Sequence, residues 1–262
     1  MPITSKGIYI YPNGDKYKGY FKDGKKNGFG NIKLIDGTSI KGFFSNNILS
    51  GQVKIQYSNG NEYKGFVEHY ISKKNNIIIL SGYGVYKYKN GDKYEGNFQD
   101  DNFCGKGIVL LHTGINIEGI FNVESDIKVY INNAKMYYPD GNIFEGKILN
   151  LSPYNGIMKY SNGNIFVGDF RNNYQYFGLM LYKNKDIYRG YFKDNLKSGQ
   201  GLLLKFVNGY QEIYEGLFNI DDYITPYIKS IVSCQNYDDM NHNIPYLVGE
   251  EMYEYILKNK MV

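Results

Sequence analysis

Few residues in this sequence are placed to do chemistry. His69, His112 and His242 stand alone, with no second ligand at the spacing a zinc site needs, so no metal is expected. Cys104 precedes a glycine and Cys234 follows an apolar stripe; they share no redox or metal spacing and read as buried thiols, not nucleophiles. The acid pairs Asp100-Asp101, Asp221-Asp222 and Asp238-Asp239 lie between apolar runs, where aspartate serves turns. Gly28-x-Gly30 could be misread as a phosphate loop, but the lysine and helix that such a loop requires are missing. No catalytic group and no cofactor are expected, and the chain reads as a protein that is not an enzyme. One charged set remains. Lys18, Lys41 and Lys64 each stand between an aromatic or isoleucine and a glycine, 23 residues apart. Stacked like charges give no folding advantage. Their use would be an anionic surface: lipid headgroups, an acidic protein, or the acidic end of another copy.

The elements that position those lysines repeat along the chain. Tyr17-Lys-Gly-Tyr-Phe21 returns as Ile40-Lys-Gly-Phe-Phe44, Tyr63-Lys-Gly-Phe-Val67, Tyr94-Glu-Gly-Asn-Phe98 and Ile117-Glu-Gly-Ile-Phe121. Phe144, Phe166, Tyr188 and Tyr214 open four more copies. The base period is about 23 residues, with extra residues in 68–81 and 122–133, read as loops, added strands or partner contacts. An internal repeat outranks other local signals in fixing a fold. Before most copies comes Asn-Gly or Asp-Gly, a strong hairpin signal; Asn184-Lys185 is a departure.

The register follows from facing. A three-residue loop Pro12-Asn13-Gly14 pairs Tyr9 with Tyr17 and Gly7 with Gly19, gathering the apolar side chains on one face. The same register pairs Gly30 with Gly42, Gly84 with Gly96, Gly107 with Gly119, Gly156 with Gly168 and Gly178 with Gly190, and a widened loop keeps Gly201 opposite Gly216. Val53 and Ala134 stand where glycine is otherwise found. The glycines leave gaps where a neighbouring ring can lie on bare backbone. The residue between motif aromatic and glycine points to the opposite face. It reads Lys18, Lys41, Lys64, then Glu95, Glu118, Glu145, then Val167, Arg189, Glu215.

Gly28, Gly30, Gly37, Ile40, Gly42 and Phe44, and better Gly82, Gly84, Gly91, Tyr94, Gly96 and Phe98, resemble the MORN (membrane occupation and recognition nexus) repeat. The resemblance covers roughly residues 6–220. It implies an all-β, single-sheet solenoid of tandem hairpins. It also implies work as a protein-binding scaffold in the cytoplasm, at the cytoskeleton or the cytoplasmic face of a membrane. Some MORN proteins carry a kinase or methyltransferase domain, for which the residues beyond the array are too few.

Composition agrees. Tyr 29, Phe 15 and Gly 31 with Pro 6 suit hairpins. Met1 begins a polar stretch without a signal sequence, and Ile77–Leu80 is too short to span a membrane. Residues 1–75 carry net +7 and residues 208–262 net −6, which suits an anionic partner or contact between copies. Residues 1–220 read as the array and 221–262 as a short α-helical cap. Thr225-Pro226 would start one helix, with Tyr227, Ile228, Ile231 and Val232 as its stripe, and Asn243 a second. The partner site is placed on the aromatic side, centred on Tyr86, Tyr88, Tyr94, Phe98, Tyr138, Tyr160, Phe166, Tyr182 and Tyr188. A peptide or helix would lie there. Acidic lipid at Lys18, Lys41 and Lys64 is the alternative, a homo-oligomer is open, and nucleic acid is not expected because the rings are needed as core.

Overall fold

The structure is a computed structural model that describes residues 4–71, 76–125, 128–208, 210–219, 222–223 and 228–233. It falls into two units, Met1–Tyr138 and Pro139–Val262. The division lies inside the repeat array.

The described part of the first unit is strand and turn. In order come β1 (Thr4–Ile10), β2 (Lys16–Lys22), β3 (Lys25–Lys33), β4 (Ser39–Ser45), β5 (Ile48–Gln56) and β6 (Glu62–Ile71). Then follow β7 (Asn76–Lys87), β8 (Lys93–Gln99), β9 (Asn102–Leu110), β10 (Asn116–Ser125) and β11 (Lys128–Tyr137). Each pairs antiparallel with the next. The expected register holds: Tyr9 faces Tyr17, Gly30 faces Gly42, Gly84 faces Gly96 and Gly107 faces Gly119. The two insertions lengthen hairpins, β6 with β7 and β10 with β11.

Two kinds of turn alternate. Within a repeat, the Tyr11 N–H donates to the Asp15 carbonyl at 2.8 Å and the Gly14 N–H to the Tyr11 carbonyl at 2.9 Å, with Gly14 at φ +93°. This is the three-residue loop with a left-handed glycine. Between repeats the turn is two residues, both at positive φ: Asp23-Gly24, Asn46-Asn47 and Asp100-Asp101. That is the mirror-image turn that matches strand twist and favours Asn, Asp and Gly. It explains the acid pair at 100–101 without chemistry.

The second unit repeats the plan. Its strands are β12 (Ile143–Leu149), β13 (Ser152–Lys159), β14 (Ile165–Arg171), β15 (Tyr174–Leu181), β16 (Ile187–Lys193), β17 (Leu196–Val207), β18 (Tyr210–Asn219), β19 (Asp222–Tyr223) and β20 (Ile228–Ser233). Here Gly156 faces Gly168, Gly178 faces Gly190 and Gly201 faces Gly216. Lys185 replaces the turn glycine and takes φ +74° itself.

One expectation fails here. Residues 228–233, read as helix, are strand β20, antiparallel to β18 from Tyr210↔Ser233 to Tyr214↔Ile228. Ile228, Ile231 and Val232 are β-branched, and the outer edge of β18 offers unpaired backbone groups that a strand satisfies and a helix does not. The described residues contain no helix. The second expected helix, from Asn243, lies outside them.

Candidate partner-binding surfaces

The face that carries the motif aromatics is organised by a row of glycines. In the first unit the row runs through Gly7, Gly19, Gly30, Gly42, Val53, Gly65, Gly84, Gly96, Gly107 and Gly119. Each motif tyrosine bends over this row. Tyr17 covers Gly19 on its own strand and Gly30 on the next; Tyr63 covers Gly65 and Gly84; Tyr94 covers Gly96 and Gly107. The hydroxyl then donates past the glycine to a carbonyl of its own strand, Tyr17 to Tyr20 at 3.0 Å, Tyr63 to Phe66 at 2.6 Å and Tyr94 to Asn97 at 2.8 Å. These rings are fully buried. Burial pushes the Tyr63 phenol up to about 12 and raises that of Tyr94 too.

The two places without a ring compensate. Where the motif residue is Ile40, the next strand carries Val53 instead of glycine and Leu49 fills the gap; where it is Ile117, the next strand carries Ala134 and Ile131 fills it. The departures Val53 and Ala134 are thus set by the preceding motif residue, across the boundary between repeats.

Above this core the first unit has two adjoining hollows on the tyrosine side. One, of about 600 Å³, is lined by Tyr11, Asp15, Lys26, Asp36, Leu49 and Tyr57 among others. The other, of about 560 Å³, is lined by Tyr57, Ile78, Tyr86, Tyr88, Asp101 and Phe103 among others. Tyr57 and Ile78 belong to both, so the hollows form one trough. Its rings touch: Tyr57 to Tyr86 at 5.8 Å and Tyr86 to Tyr88 at 4.8 Å between centroids. Asn61 donates to the Tyr86 hydroxyl at 3.0 Å. Buried Lys26 donates to the Tyr11 hydroxyl at 2.7 Å and lies over the rings of Tyr11, Tyr17 and Phe44. Burial raises the phenols of Tyr57 and Tyr88.

The nine rings expected to line a groove divide by depth. Tyr94, Phe166 and Tyr188 are 0% exposed and Phe98 3%. They are core, because a single sheet covers its glycine row with its own rings; of the four, Phe98 still lines the floor of the second hollow. Tyr86 is half-buried and Tyr88 39% exposed, on the trough of the first unit. Tyr138 is half-buried. In the second unit Tyr160 and Tyr182 are half-buried, with hydroxyls bonded by Gln175 and Lys197.

The opposite face of the first unit holds the lysines. Lys41 faces Lys54, which faces Lys64, so Lys54 stands between the two that the motif points out. None of Lys18, Lys41, Lys54 and Lys64 forms an ion pair among the described residues. Beside them, two residues along each strand, runs a second row of rings: Tyr20, Phe29, Phe43, Phe66 and Tyr83, all 41–64% exposed. Sequence reasoning missed this row. Its signal is the residue after the motif glycine (Tyr20, Phe43, Phe66) and the residue inside Gly-x-Gly (Phe29, Tyr83), which alternation sends to the lysine side.

Among the chemically suggestive residues, His112 and Cys104 have plain surroundings, while Asp221, Cys234, Asp238, Asp239 and His242 lie outside the described residues. The exposed His112 ring meets Asp92 at 2.7 Å, and its backbone N–H donates to the same oxygen at 2.7 Å. Cys104 is a free, half-buried thiol whose pKa burial raises, away from thiolate. No group of three or more metal-ligating side chains occurs among the described residues.

No curated protein matches the chain in sequence. Among solved structures it is similar to the TCP10 domain of Danio rerio CPAP, at 10% identity and TM-score 0.42, over 81% of this chain and 98% of that one. It is also similar to the SAS-4 (dCPAP) TCP domain of Drosophila melanogaster, solved with a proline-rich motif of Ana2 (dSTIL). That match has 16% identity and TM-score 0.36, over 63% of this chain and 86% of that one. The family profile that matches is the MORN repeat, and the chain carries it at residues 5–16, 17–39, 79–93, 94–114 and 188–205.

Proposed function

We propose that the protein is a non-catalytic binding scaffold whose first unit holds a segment of a partner protein in the tyrosine-side trough. The observation that carries this reading is the pair of adjoining hollows. They are floored by buried Ile40, Leu49, Ile55, Leu80 and Phe98, walled by Tyr57, Tyr86 and Tyr88, and rimmed by Asp15, Asp36 and Asp101. An apolar floor with a polar rim takes a peptide or helix with a few apolar anchors. Work at the cytoskeleton or the cytoplasmic face of a membrane, which the resemblance to MORN repeats suggests, belongs to the same proposal.

A photo-crosslinking residue at Tyr88 tests it. Irradiation in cell extract should join one discrete protein to the Tyr88 probe and not to the same probe at Tyr174, an exposed residue of the second unit. Tyr57→Ala, if folded, should abolish the crosslink. Identical crosslinks from both positions, or none at Tyr88, would refute the trough.

A further inference from the structure

The lysine side of the first unit is a second surface, unrelated to the trough. Phe29, Phe43, Phe66 and Tyr83 stand beside Lys41, Lys54 and Lys64 and enclose with them a hollow of about 660 Å³. Phe29 and Phe43 pack edge to face at 5.5 Å. The floor is backbone, at Gly42, Gly65 and Gly84. Neither row suits a solvated face. Like charges directly opposite on paired strands repel, and the Lys41–Lys54–Lys64 line places three in succession. Exposed rings in a contiguous row lose the hydrophobic gain that burial would give them.

The same face shows what it accepts. Further along the lysine row stands Glu95. Its carboxylate takes hydrogen bonds from Lys93 Nζ at 2.6 Å and from the Tyr83 hydroxyl at 2.7 Å, and the Lys93 bond, then that of Tyr83, hold its pKa below the usual carboxylate range. Here the chain supplies its own carboxylate to a lysine and a ring of this surface. From β4 to β6 the row itself has lysines without carboxylates.

We propose that strands β3 to β7 bind an acidic polypeptide segment, with apolar side chains on the ring row and carboxylates over Lys41, Lys54 and Lys64. The strip crosses four strand spacings, ~19 Å, which about six extended residues span. Alternation in an extended segment puts successive side chains on opposite sides, so a partner offering both kinds would run obliquely between the rows. A discrete segment fits better than a flat anionic bilayer. Glu62, Glu68, Glu95 and Glu118 point to this same side, around the strip, and would repel a continuous negative surface.

The test is fluorescence anisotropy with the full chain and a labelled peptide of about ten residues alternating glutamate and phenylalanine. Binding should saturate and weaken at high salt. Lys41→Gln/Lys54→Gln/Lys64→Gln should weaken it about tenfold, since three exposed ion pairs are lost. The melting temperature should not fall, because the triple change removes repulsion. Phe43→Ala, at the most exposed ring, should weaken it as well. Vesicles containing phosphatidylserine and an oligothymidine strand serve as competitors. Unchanged affinity in the folded triple variant overturns the proposal. So does the absence of peptide binding, or displacement of the peptide by vesicles or oligonucleotide at lower concentration than by unlabelled peptide.

Discussion

Tyr94 lies over Gly96 so closely that a Cβ on Gly96 would stand 2.5 Å from the hydroxyl oxygen and 2.8 Å from the Cα of Gly107. Gly96→Val should therefore cost more than ~3 kcal/mol, read as a large drop in urea midpoint. Gly7, in the same row, has only Phe21 nearby, at 3.5 Å, so Gly7→Ala should be neutral or stabilising by up to ~1 kcal/mol. The compensation at Ile40 gives a sharper test. Ile40→Tyr should clash with Val53, and Val53→Gly should leave a void beside Ile40. The double change rebuilds the Tyr63-Gly84 arrangement, so the coupling should be favourable by ~1–3 kcal/mol in a double-mutant cycle. Alkaline titration reports the same rings. The Tyr63 pKa in the folded state, about 12, lies above its unfolded value near 10, so the fold favours the neutral phenol. That stability is complete below pH ~10 and is lost as pH rises toward 12. Phenolate absorbance should show buried tyrosines ionising only together with the loss of the far-UV strand signal; smooth ionisation of every tyrosine near pH 10 in a folded chain would contradict it. The glycine pairing inside each hairpin was legible because alternation and turn length fix it. That rings would lie on the bare glycine backbone was legible as well; which glycines each ring covers, Gly19 and Gly30 for Tyr17, was not, because ring direction is a property of side-chain packing rather than of spacing.

Most of these turns also tie the next one. The residue after the turn glycine accepts a backbone N–H from the following repeat: Asp15 from Ile35 at 2.9 Å, Asn61 from Lys89 at 3.0 Å, Asp92 from His112 at 2.7 Å and Asn164 from Lys183 at 3.0 Å. The His112 N–H does most to hold the Asp92 carboxyl below its ordinary range. The charged form belongs to the fold, so its contribution is present at neutral pH and lost as pH falls through the depressed value. Asp92→Asn should destabilise at neutral pH by ~1 kcal/mol, with the difference vanishing in acid, as thermal melts along a pH series would show. Strain has the opposite remedy. Lys185 at φ +74° and Leu151 at φ +61° occupy left-handed positions that suit glycine. Lys185→Gly and Leu151→Gly should each raise stability by ~1 kcal/mol, against the usual effect of a new glycine. Lys185 was visible as a departure, and Leu151 was hidden because the two-residue turns carry no fixed glycine. The β20 misreading has a similar cause. Ile228, Ile231 and Val232 fit a helical stripe, but in so short a run the period cannot separate helix from strand, and the vacant edge of β18 decided it.

In each unit every paired strand meets its neighbour in sequence, apart from β18, which also takes β20. Stability in such an array is a sum of repeat and nearest-neighbour terms, so hydrogen exchange should be graded along each unit rather than uniform. In the first unit β1, paired on one side among the described residues, should exchange faster than β4 and β8. The paired strands were legible as a whole from the repeated motif glycine and the turn signals, whereas the lysine-side ring row was not. The rings of the motif drew attention to one face, and the second set looked like part of the same motif. The rings that straddle repeats have a genetic consequence. Since Tyr17 seals Gly30, and Tyr63 seals Gly84, the joint between modules is rebuilt whenever a motif strand precedes a Gly-x-Gly strand. Copy number can then drift by duplication or loss of whole modules without inventing a new joint. Excision of residues 40–62 would join Ser39 to Tyr63 and keep every remaining joint of a kind already present, so the shortened chain should stay folded. Removing residues 40–47 instead takes out motif strand β4 and leaves β5 to follow β3 with no motif strand between them, and that chain should not.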